Sequence, residues 1–257
     1  SLAEAIPGAP AARAAVDLAL HDLAGRRAGI PVYRRYGADP DRMPPTSYSI
    51  GLDTPAAMQA KVRAAGGFAI LKVKVGRGDD RATLEAIRAV TDKPLIVDAN
   101  EAWADRDLAL GMIRFMAGIG VTLVEQPLPA ADRDGARWLH ARSPLPLVAD
   151  EAVLGADDLD DLVGACAIVN VKLQKTGGLR AAARLIERAR ALGFGVMIGC
   201  MIESSLGITA AAHLAPLCDH ADLDGNLLIA ADPYLGARLD GGRLALPAGP
   251  GLGVVPR

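Results

Sequence analysis

Charged side chains stand at the ends of a series of short apolar runs in this sequence. The run LKVKVG carries Lys72 and Lys74 where a buried strand is expected, and the next two runs end in Asp98 and Glu125. Four later runs end in further polar groups, which are Asp150, Lys172, Cys200, and the pair Asp222 and Asp224. Parallel strands gather functional groups at their carboxyl ends, so these residues are candidates for one chemical site.

The three carboxylates on consecutive runs indicate a metal site. Asp98, Glu125 and Asp150 supply hard oxygen ligands, which suit Mg²⁺ better than zinc. Without a cation, converging carboxylates would repel one another and raise each other's pKa values. We therefore expect Mg²⁺ as the cofactor, held by these three residues.

The lysines suggest acid–base catalysis. Residues two apart on a strand share one face, so Lys72 and Lys74 point the same way. Lys74 lies on the second predicted strand and Lys172 on the sixth, which are four apart in a ring of eight. Two bases on opposite sides of one carbon are what a reaction needs to remove a proton from one face and return it to the other.

Repeated βα units must position these residues. The predicted strands span residues 47–52, 70–75, 95–98, 121–125, 147–150, 168–172, 196–199 and 221–224, and amphipathic helical segments separate them. Eight units favour a closed barrel over an open doubly wound sheet, although the period alone fits both. Gly and Pro interrupt the chain after the eighth strand, so no eighth helix of normal length is expected. The predicted fold class is α/β, a TIM-like (β/α)7β barrel.

Composition excludes several other classes of protein. The chain has 257 residues and a formal net charge of −2, without the basic block that nucleic-acid binding needs. No run reaches the roughly 18 apolar residues of a membrane span. Three widely spaced cysteines predict neither a disulfide framework nor a zinc site, and they fit a reducing, cytoplasmic setting. The first residues lack an initiator Met and a signal-peptide pattern, so we expect a fragment.

Taken in order, the motifs KVK, VDAN, VEQP, VADE and NVKLQKTGG resemble the enolase superfamily, in its muconate lactonizing enzyme subgroup, and within it the dipeptide epimerases. The resemblance spans nearly the whole chain. It implies that Lys74 and Lys172 are the opposed acid–base residues, and that Lys72 is a cation near the substrate carboxylate. It also implies the same Mg²⁺ ligands, since this superfamily pairs a Lys or His base with one or two Mg²⁺ ions.

The resemblance also implies a substrate. In dipeptide epimerases an acidic pair on the eighth strand binds the substrate's α-ammonium group, which here means Asp222 and Asp224. Further substrate contacts are implied at Ser49, Cys200, Met201 and Ile202. The implied reaction is epimerisation at the α-carbon of the C-terminal residue of a dipeptide, by proton transfer through an enolate. The implied partners are a dipeptide substrate and further copies of the chain in a homo-oligomer, with no nucleic acid and no membrane.

Other functions stay open at this stage. The same lysines and metal would serve a muconate cycloisomerase, an o-succinylbenzoate synthase or an N-acylamino acid racemase, and a non-catalytic barrel fragment is a further alternative. The superfamily's N-terminal α+β capping domain is expected to be largely absent. We predict a linker and remnant over 1–45, the catalytic barrel over 46–228, and a C-terminal segment returning to the capping region over 229–257.

Overall fold

A computed structural model describes residues 2–76 and 78–257 and divides into two compact units. Unit one contains residues 1–46, 154–157 and 170–257, and unit two contains residues 47–153 and 158–169. The predicted boundaries near residues 45 and 228 remain predictions. The first predicted segment, 1–45, begins at a residue that lies outside the described part of the chain.

Eight parallel strands form the main sheet, and their spatial order equals their sequence order. They are β1 (Ser47–Ile50), β2 (Ile70–Lys74), β3 (Leu95–Asp98), β4 (Val121–Glu125), β5 (Leu147–Ala149), β6 (Ile168–Val171), β7 (Gly195–Gly199) and β8 (His220–Asp222). β3, β5 and β6 are buried along their whole length, as expected for strands covered on both faces. This strand order confirms the predicted (β/α) barrel class.

Eleven α-helices lie in the described residues. They are α1 (Leu2–Ala5), α2 (Pro10–Ala28), α3 (Val32–Arg35), α4 (Pro55–Ala64), α5 (Asp80–Arg88), α6 (Arg106–Gly118), α7 (Arg133–His140), α8 (Leu159–Leu162), α9 (Leu173–Thr176), α10 (Leu179–Ala191) and α11 (Ser205–Ala212). Four consecutive helices, α4 to α7, begin with a Thr or Asp side chain that accepts a backbone N–H of the first turn. None of the helices in the described residues is long and apolar enough to cross a membrane.

The segment after β8 contains no α-helix among the residues that the structure describes. A 3₁₀ turn (Gly225–Leu227) is followed by four short strands, β9 (Tyr234–Leu235), β10 (Arg238–Asp240), β11 (Arg243–Ala245) and β12 (Val255–Pro256). β10 pairs with β11 and β12 pairs with β9, both antiparallel. The prediction that a normal eighth helix would be missing is confirmed.

Several predicted strands were too long at their carboxyl ends. β5, β6 and β8 end before the polar residue that was assigned to each of them, so Asp150, Lys172 and Asp224 lie just past their strands. Lys172 is the extended residue before α9, and Asp224 precedes a 3₁₀ turn. The backbone leaves the sheet at these points because a turn or helix begins at once, which the apolar pattern did not reveal.

Within unit one, α2 is fixed to α10 by a buried carboxylate. Asp17 accepts the backbone N–H of Leu179 at 2.7 Å and that of Arg180 at 3.4 Å. Gly178 has φ +119°, and a Cβ there would overlap the Asp17 side chain. A glycine is therefore required for this close approach of helix and turn.

Candidate active site

Lys72 is the centre of a buried ion cluster in unit two. Its Nζ lies 3.0 Å from Asp98 Oδ2 and 2.8 Å from Glu125 Oε2. The Lys72 side chain is 2% exposed and both carboxylate side chains are 0% exposed. Asp98 and Glu125 are register partners on β3 and β4, which explains how the two carboxylates reach one ammonium group. Burial of charges at this depth requires such pairing.

Lys74 shares the same aspartate but reaches solvent. Its Nζ donates to Asp98 Oδ2 at 2.6 Å and to Asn100 Oδ1 at 2.8 Å, and its side chain is 30% exposed. Burial acts to raise the pKa of Asp98, but the two lysine ammonium groups outweigh it and hold that pKa below its usual value. Asp98 is therefore an ionised group that orients Lys74 towards a partly open surface.

Asp150 lies one residue beyond β5, 2% exposed, and its backbone is held by the residue after β4. The Gln126 side-chain Oε1 accepts the N–H of Asp150 at 2.9 Å and that of Ala152 at 3.2 Å. Val148, two residues before Asp150, is the register partner of Glu125. Asp150 therefore lies two residues past the position on β5 that pairs with Glu125. Its side chain is expected on the same side of the backbone as that of Val148.

The chemistry of these donors fits a hard divalent cation. Three buried carboxylates come from the ends of three consecutive strands, and two of them already share one positive charge. Among residues 2–76 and 78–257, no group of three His, Cys, Asp or Glu side chains is arranged to hold a metal ion. In the arrangement described, the Lys72 ammonium is the cation that Asp98 and Glu125 share.

The predicted residues of unit one occupy the ends of β6, β7 and β8. Lys172, Asp222 and Asp224 are 7%, 5% and 2% exposed, whereas Met201 and Ile202 are 43% and 69% exposed. The backbone is anchored just past β8, between the two aspartates, since Leu223 N–H donates to Thr46 Oγ1 at 2.8 Å.

The Cys200 thiol lies beside the acidic residues of unit one. Burial raises its pKa well above the usual value, and three nearby carboxylates raise it further. These carboxylates belong to Asp222, Asp224 and Glu203. The thiol is therefore protonated near neutral pH and is suited to contact rather than to nucleophilic attack.

Two models of known protein families match this chain. A family model described as "Enolase C-terminal domain-like" matches residues 55–257. This chain belongs to that family. A second model, described as the N-terminal domain of mandelate racemase and muconate lactonizing enzyme, matches residues 2–37. The resemblance derived from the strand-end motifs is confirmed at the level of the enolase superfamily.

Individual relatives of this enolase-family chain carry the names of dipeptide epimerases. An L-Ala-D/L-Glu epimerase of Bacteroides thetaiotaomicron is 45% identical over 97% of this chain and 65% of its own length. An L-Ala-D/L-amino acid epimerase of Pedosphaera parvula is 46% identical over 93% of this chain and 70% of its own length. The chain thus spans about two thirds of the length of these relatives.

A solved structure agrees with this enolase-family fold. The crystal structure of a dipeptide epimerase from Enterococcus faecalis V583, complexed with Mg and the dipeptide L-Leu-L-Tyr, has a TM-score of 0.92. It is 35% identical, and the match covers 98% of this chain and 75% of the other.

Ser49, an implied substrate contact of the enolase-family chain, lies in unit two. It is half-buried on β1 and is the register partner of Lys72 on β2. The role of Ser49 as a substrate contact stays a prediction.

Sequence reasoning missed the left-handed backbone conformations at this enolase-family site. Asn100, Glu101 and Gln126 have φ values of 43°, 65° and 36°, in the left-handed region that non-glycine residues seldom adopt. Asn100 and Glu101 lie in the turn after β3, and Gln126 directly follows β4. Strain of this kind clusters at functional sites. The side chains of Asn100 and Asp98 both contact Lys74. No sequence signal marked Gln126 beyond its place in EQP.

A second residue missed by the sequence is Glu203, in the ESS that follows Ile202. Its carboxylate accepts the Met201 N–H at 3.1 Å and the Gln174 side-chain amide. Burial raises the pKa of Glu203 to about 7, while these hydrogen bonds and the charge of Lys172 act to lower it. A carboxyl group that titrates near neutral pH beside a candidate catalytic lysine is a functional feature worth testing.

Proposed function

We propose that this protein is a Mg²⁺-dependent dipeptide epimerase that inverts the α-carbon of the C-terminal residue. The observation that carries the proposal is the buried cluster of Lys72 and Lys74 with Asp98 and Glu125 in unit two. The names of the relatives support the same reaction.

Asp98, Glu125 and Asp150 would hold Mg²⁺ in this proposal. All three are at most 2% exposed, and their oxygen donors match the preference of that ion. When bound, the ion supplies electrostatic stabilisation of the negative charge that develops on the substrate carboxylate as the α-proton leaves.

Lys74 and Lys172 transfer the protons. In each direction one lysine must be neutral to remove the α-proton, and the other must be protonated to return a proton to the opposite face. Asp98 and Asn100 hold the Lys74 amino group by two hydrogen bonds, which fixes its direction. Lys172 is the residue immediately before α9, where its backbone is extended.

Lys72 adds a permanent positive charge for the substrate carboxylate. It is 2% exposed and fixed between two carboxylates, so its charge is preorganised and needs no rearrangement as the reaction proceeds. Ser49, its register partner on β1, would add a hydroxyl group to the same region.

Asp222 and Asp224 would bind the α-ammonium group of the N-terminal residue. Both are buried beside Cys200, and a buried carboxylate pair favours a cationic partner. Cys200, Met201 and Ile202 would contact the rest of the substrate. The acidic pair distinguishes a dipeptide from the substrates of cycloisomerases and succinylbenzoate synthases, which carry no amine. The homo-oligomeric state and the cytoplasmic location stay predictions of the sequence.

Deuterium incorporation tests the proposal. The protein is incubated with Mg²⁺ and a set of L,L-dipeptides in D₂O, and mass spectrometry with chiral chromatography follows exchange and inversion at the C-terminal residue. We expect Lys74→Ala and Lys172→Ala each to reduce inversion at least about a hundredfold. Each variant should still exchange the α-proton of one stereoisomer, a different one for each lysine. Lys61→Ala, which changes an exposed lysine, is the matched control.

Three results would contradict the proposal. Equal activity on N-acylated amino acids, which lack the ammonium group, would favour an N-acylamino acid racemase. Turnover only of amine-free acids would favour the cycloisomerase or synthase alternatives. Absence of Mg²⁺ binding by calorimetry, together with absence of exchange, would favour a non-catalytic barrel.

A further inference from the structure

The Glu203 carboxyl group is accommodated by a backbone N–H and by a glycine of the next helix. It lies between β7 and α11, and it accepts the Met201 N–H at 3.1 Å. Gly207, in the first turn of α11, leaves the space for this side chain, because a Cβ at that position would overlap the Glu203 carboxylate. The close approach indicates a fixed position rather than a mobile surface acid.

Gln174 is the hydrogen-bond partner of Glu203 and lies close to Lys172 in the chain. Its Nε2 donates to Glu203 Oε2, and it stands two residues after Lys172 in the same short segment. The Gln174 Oε1 is buried and accepts no hydrogen bond from the residues that the structure describes. A protonated Glu203 has an O–H group to donate, and a flipped Gln174 amide would present this oxygen to it. The Gln174 amide can therefore hydrogen-bond to both the ionised and the protonated form of Glu203.

The titratable groups of this region come from three segments of unit one. Lys172 stands between β6 and α9, Cys200 follows β7, and the acidic Asp222 and Asp224 reach Cys200 from β8 and the turn after it. Lys172 is the group whose positive charge acts on Glu203 and lowers its pKa. Burial raises the pKa of Glu203 to about 7, so both of its charge states are populated near neutral pH.

We propose that Glu203, held by Gln174, is a positioning residue whose charge controls the protonation of Lys172. Ionised Glu203 favours the ammonium form of Lys172, and protonated Glu203 favours the neutral amine, since opposite charges stabilise each other. The inference rests on the proposed function, in which Lys172 must exist in both forms. It adds a neighbour that adjusts the balance between those forms without contacting the substrate.

The first test measures Lys172 directly and needs no activity. NMR of ¹⁵Nζ-labelled lysines follows the titration of Lys172, assigned with Lys172→Arg, in Glu203→Gln and in the matched control Glu187→Gln. Glu187 is exposed on α10, so the control makes the same change in net charge elsewhere. We expect the Lys172 midpoint to move to lower pH by about half a unit or more in Glu203→Gln only. Identical midpoints in the two variants would overturn the proposal.

Gln174→Leu provides an independent variant if Glu203→Gln is unstable. It removes the amide that donates to Glu203 without changing any charge, so ionised Glu203 becomes less favourable. The Lys172 midpoint should then shift to lower pH by a smaller amount than in Glu203→Gln. A shift to higher pH, or none, would count against the proposal.

The second test uses the pH dependence of epimerisation in both directions. In the direction in which Lys172 is the base, it must be neutral, so its titration sets the rising limb of the pH–rate profile. In the opposite direction Lys172 is the acid and must be protonated, so its titration sets the falling limb. In Glu203→Gln both of these limbs should move to lower pH, while the limbs set by Lys74 stay in place. A lower kcat with unmoved limbs would show a merely structural role. If the wild-type protein does not epimerise dipeptides, the proposed function fails, and the NMR titration still decides whether Glu203 controls Lys172.

Discussion

Replacing Lys72 by Met tests whether the buried cluster depends on this ammonium group. Met retains much of the volume of the side chain but removes the charge that Asp98 and Glu125 share. The two carboxylates, each 0% exposed, would then face each other, and Asp98 would keep its ion pair with Lys74. We expect a large loss of stability, measured without Mg²⁺ in the presence of a chelator.

The distances set the size of the effect. At 3.0 Å and 2.8 Å, each ion pair of Lys72 contributes a gross attraction of about 6 kcal/mol at an effective dielectric constant of about 20. Desolvation of the three charges offsets much of this attraction in the wild-type protein. Removing one partner of a buried ion pair typically costs about 3–5 kcal/mol, because a buried charge loses the partner that offset its desolvation. For a chain of this size, at about 2 °C per kcal/mol, that corresponds to a fall in Tm of roughly 6–10 °C.

Lys61 provides the matched comparison. Its Nζ lies 3.0 Å from Asp53 Oδ2, the same distance as one of the Lys72 pairs, but the two side chains are 43% and 42% exposed. Exposed pairs are screened by water and salt, so Lys61→Met should leave the free energy of unfolding nearly unchanged. Urea titrations and thermal melts of both variants at low and high salt provide the assay. Equal losses in the two variants would refute the reasoning that burial makes the Lys72 cluster indispensable.

Three further perturbations follow from the structure. Gln126→Ala removes the oxygen that accepts the N–H of Asp150 at 2.9 Å, so the free energy of unfolding should fall by about 2 kcal/mol and Mg²⁺ affinity, measured by calorimetry, should fall with it. Gly178→Ala should cost about 1–3 kcal/mol in urea unfolding, because the new Cβ displaces the Asp17 carboxylate that binds α10. Burial lowers the pKa of His213 from 6.5 to about 4, so the folded protein binds a proton at this ring less readily than the unfolded chain does. The free energy of unfolding should therefore fall by about 3 kcal/mol as pH falls from 6.5 to 4. The free energy of unfolding of His213→Gln, measured over the same pH range, should not show this part of the decline.

Controls separate these effects from general damage. Gly193 has φ +84°, and a Cβ added there would meet none of the described atoms within 4 Å, so Gly193→Ala measures backbone strain alone. A loss for Gly178→Ala no larger than that for Gly193→Ala would contradict the Asp17 argument. For Gln126→Ala, unchanged Mg²⁺ affinity despite lost stability would show that the glutamine supports the fold without positioning Asp150.

Much of the fold could be predicted from the sequence, because apolar residues recur with different periods in strands and in helices. Apolar runs alternating with amphipathic segments predicted eight strands, and β3 and β4 agree with their predicted bounds. The ends of β5, β6 and β8 were wrong by one or two residues, since a polar residue that closes a strand and one that follows it look alike in sequence.

The sequence by itself determined which residue types gather at the carboxyl ends of the strands, because side chains alternate with a period of two and parallel strands share a direction. That was enough to indicate acid–base lysines, carboxylate ligands and the enolase superfamily. Only the tertiary structure decided that Lys72 is shared by Asp98 and Glu125, that Gln126 holds the backbone of Asp150, and that Glu203 meets Gln174. These contacts join residues far apart in the chain, and they depend on register, left-handed turns and burial, which no local pattern encodes.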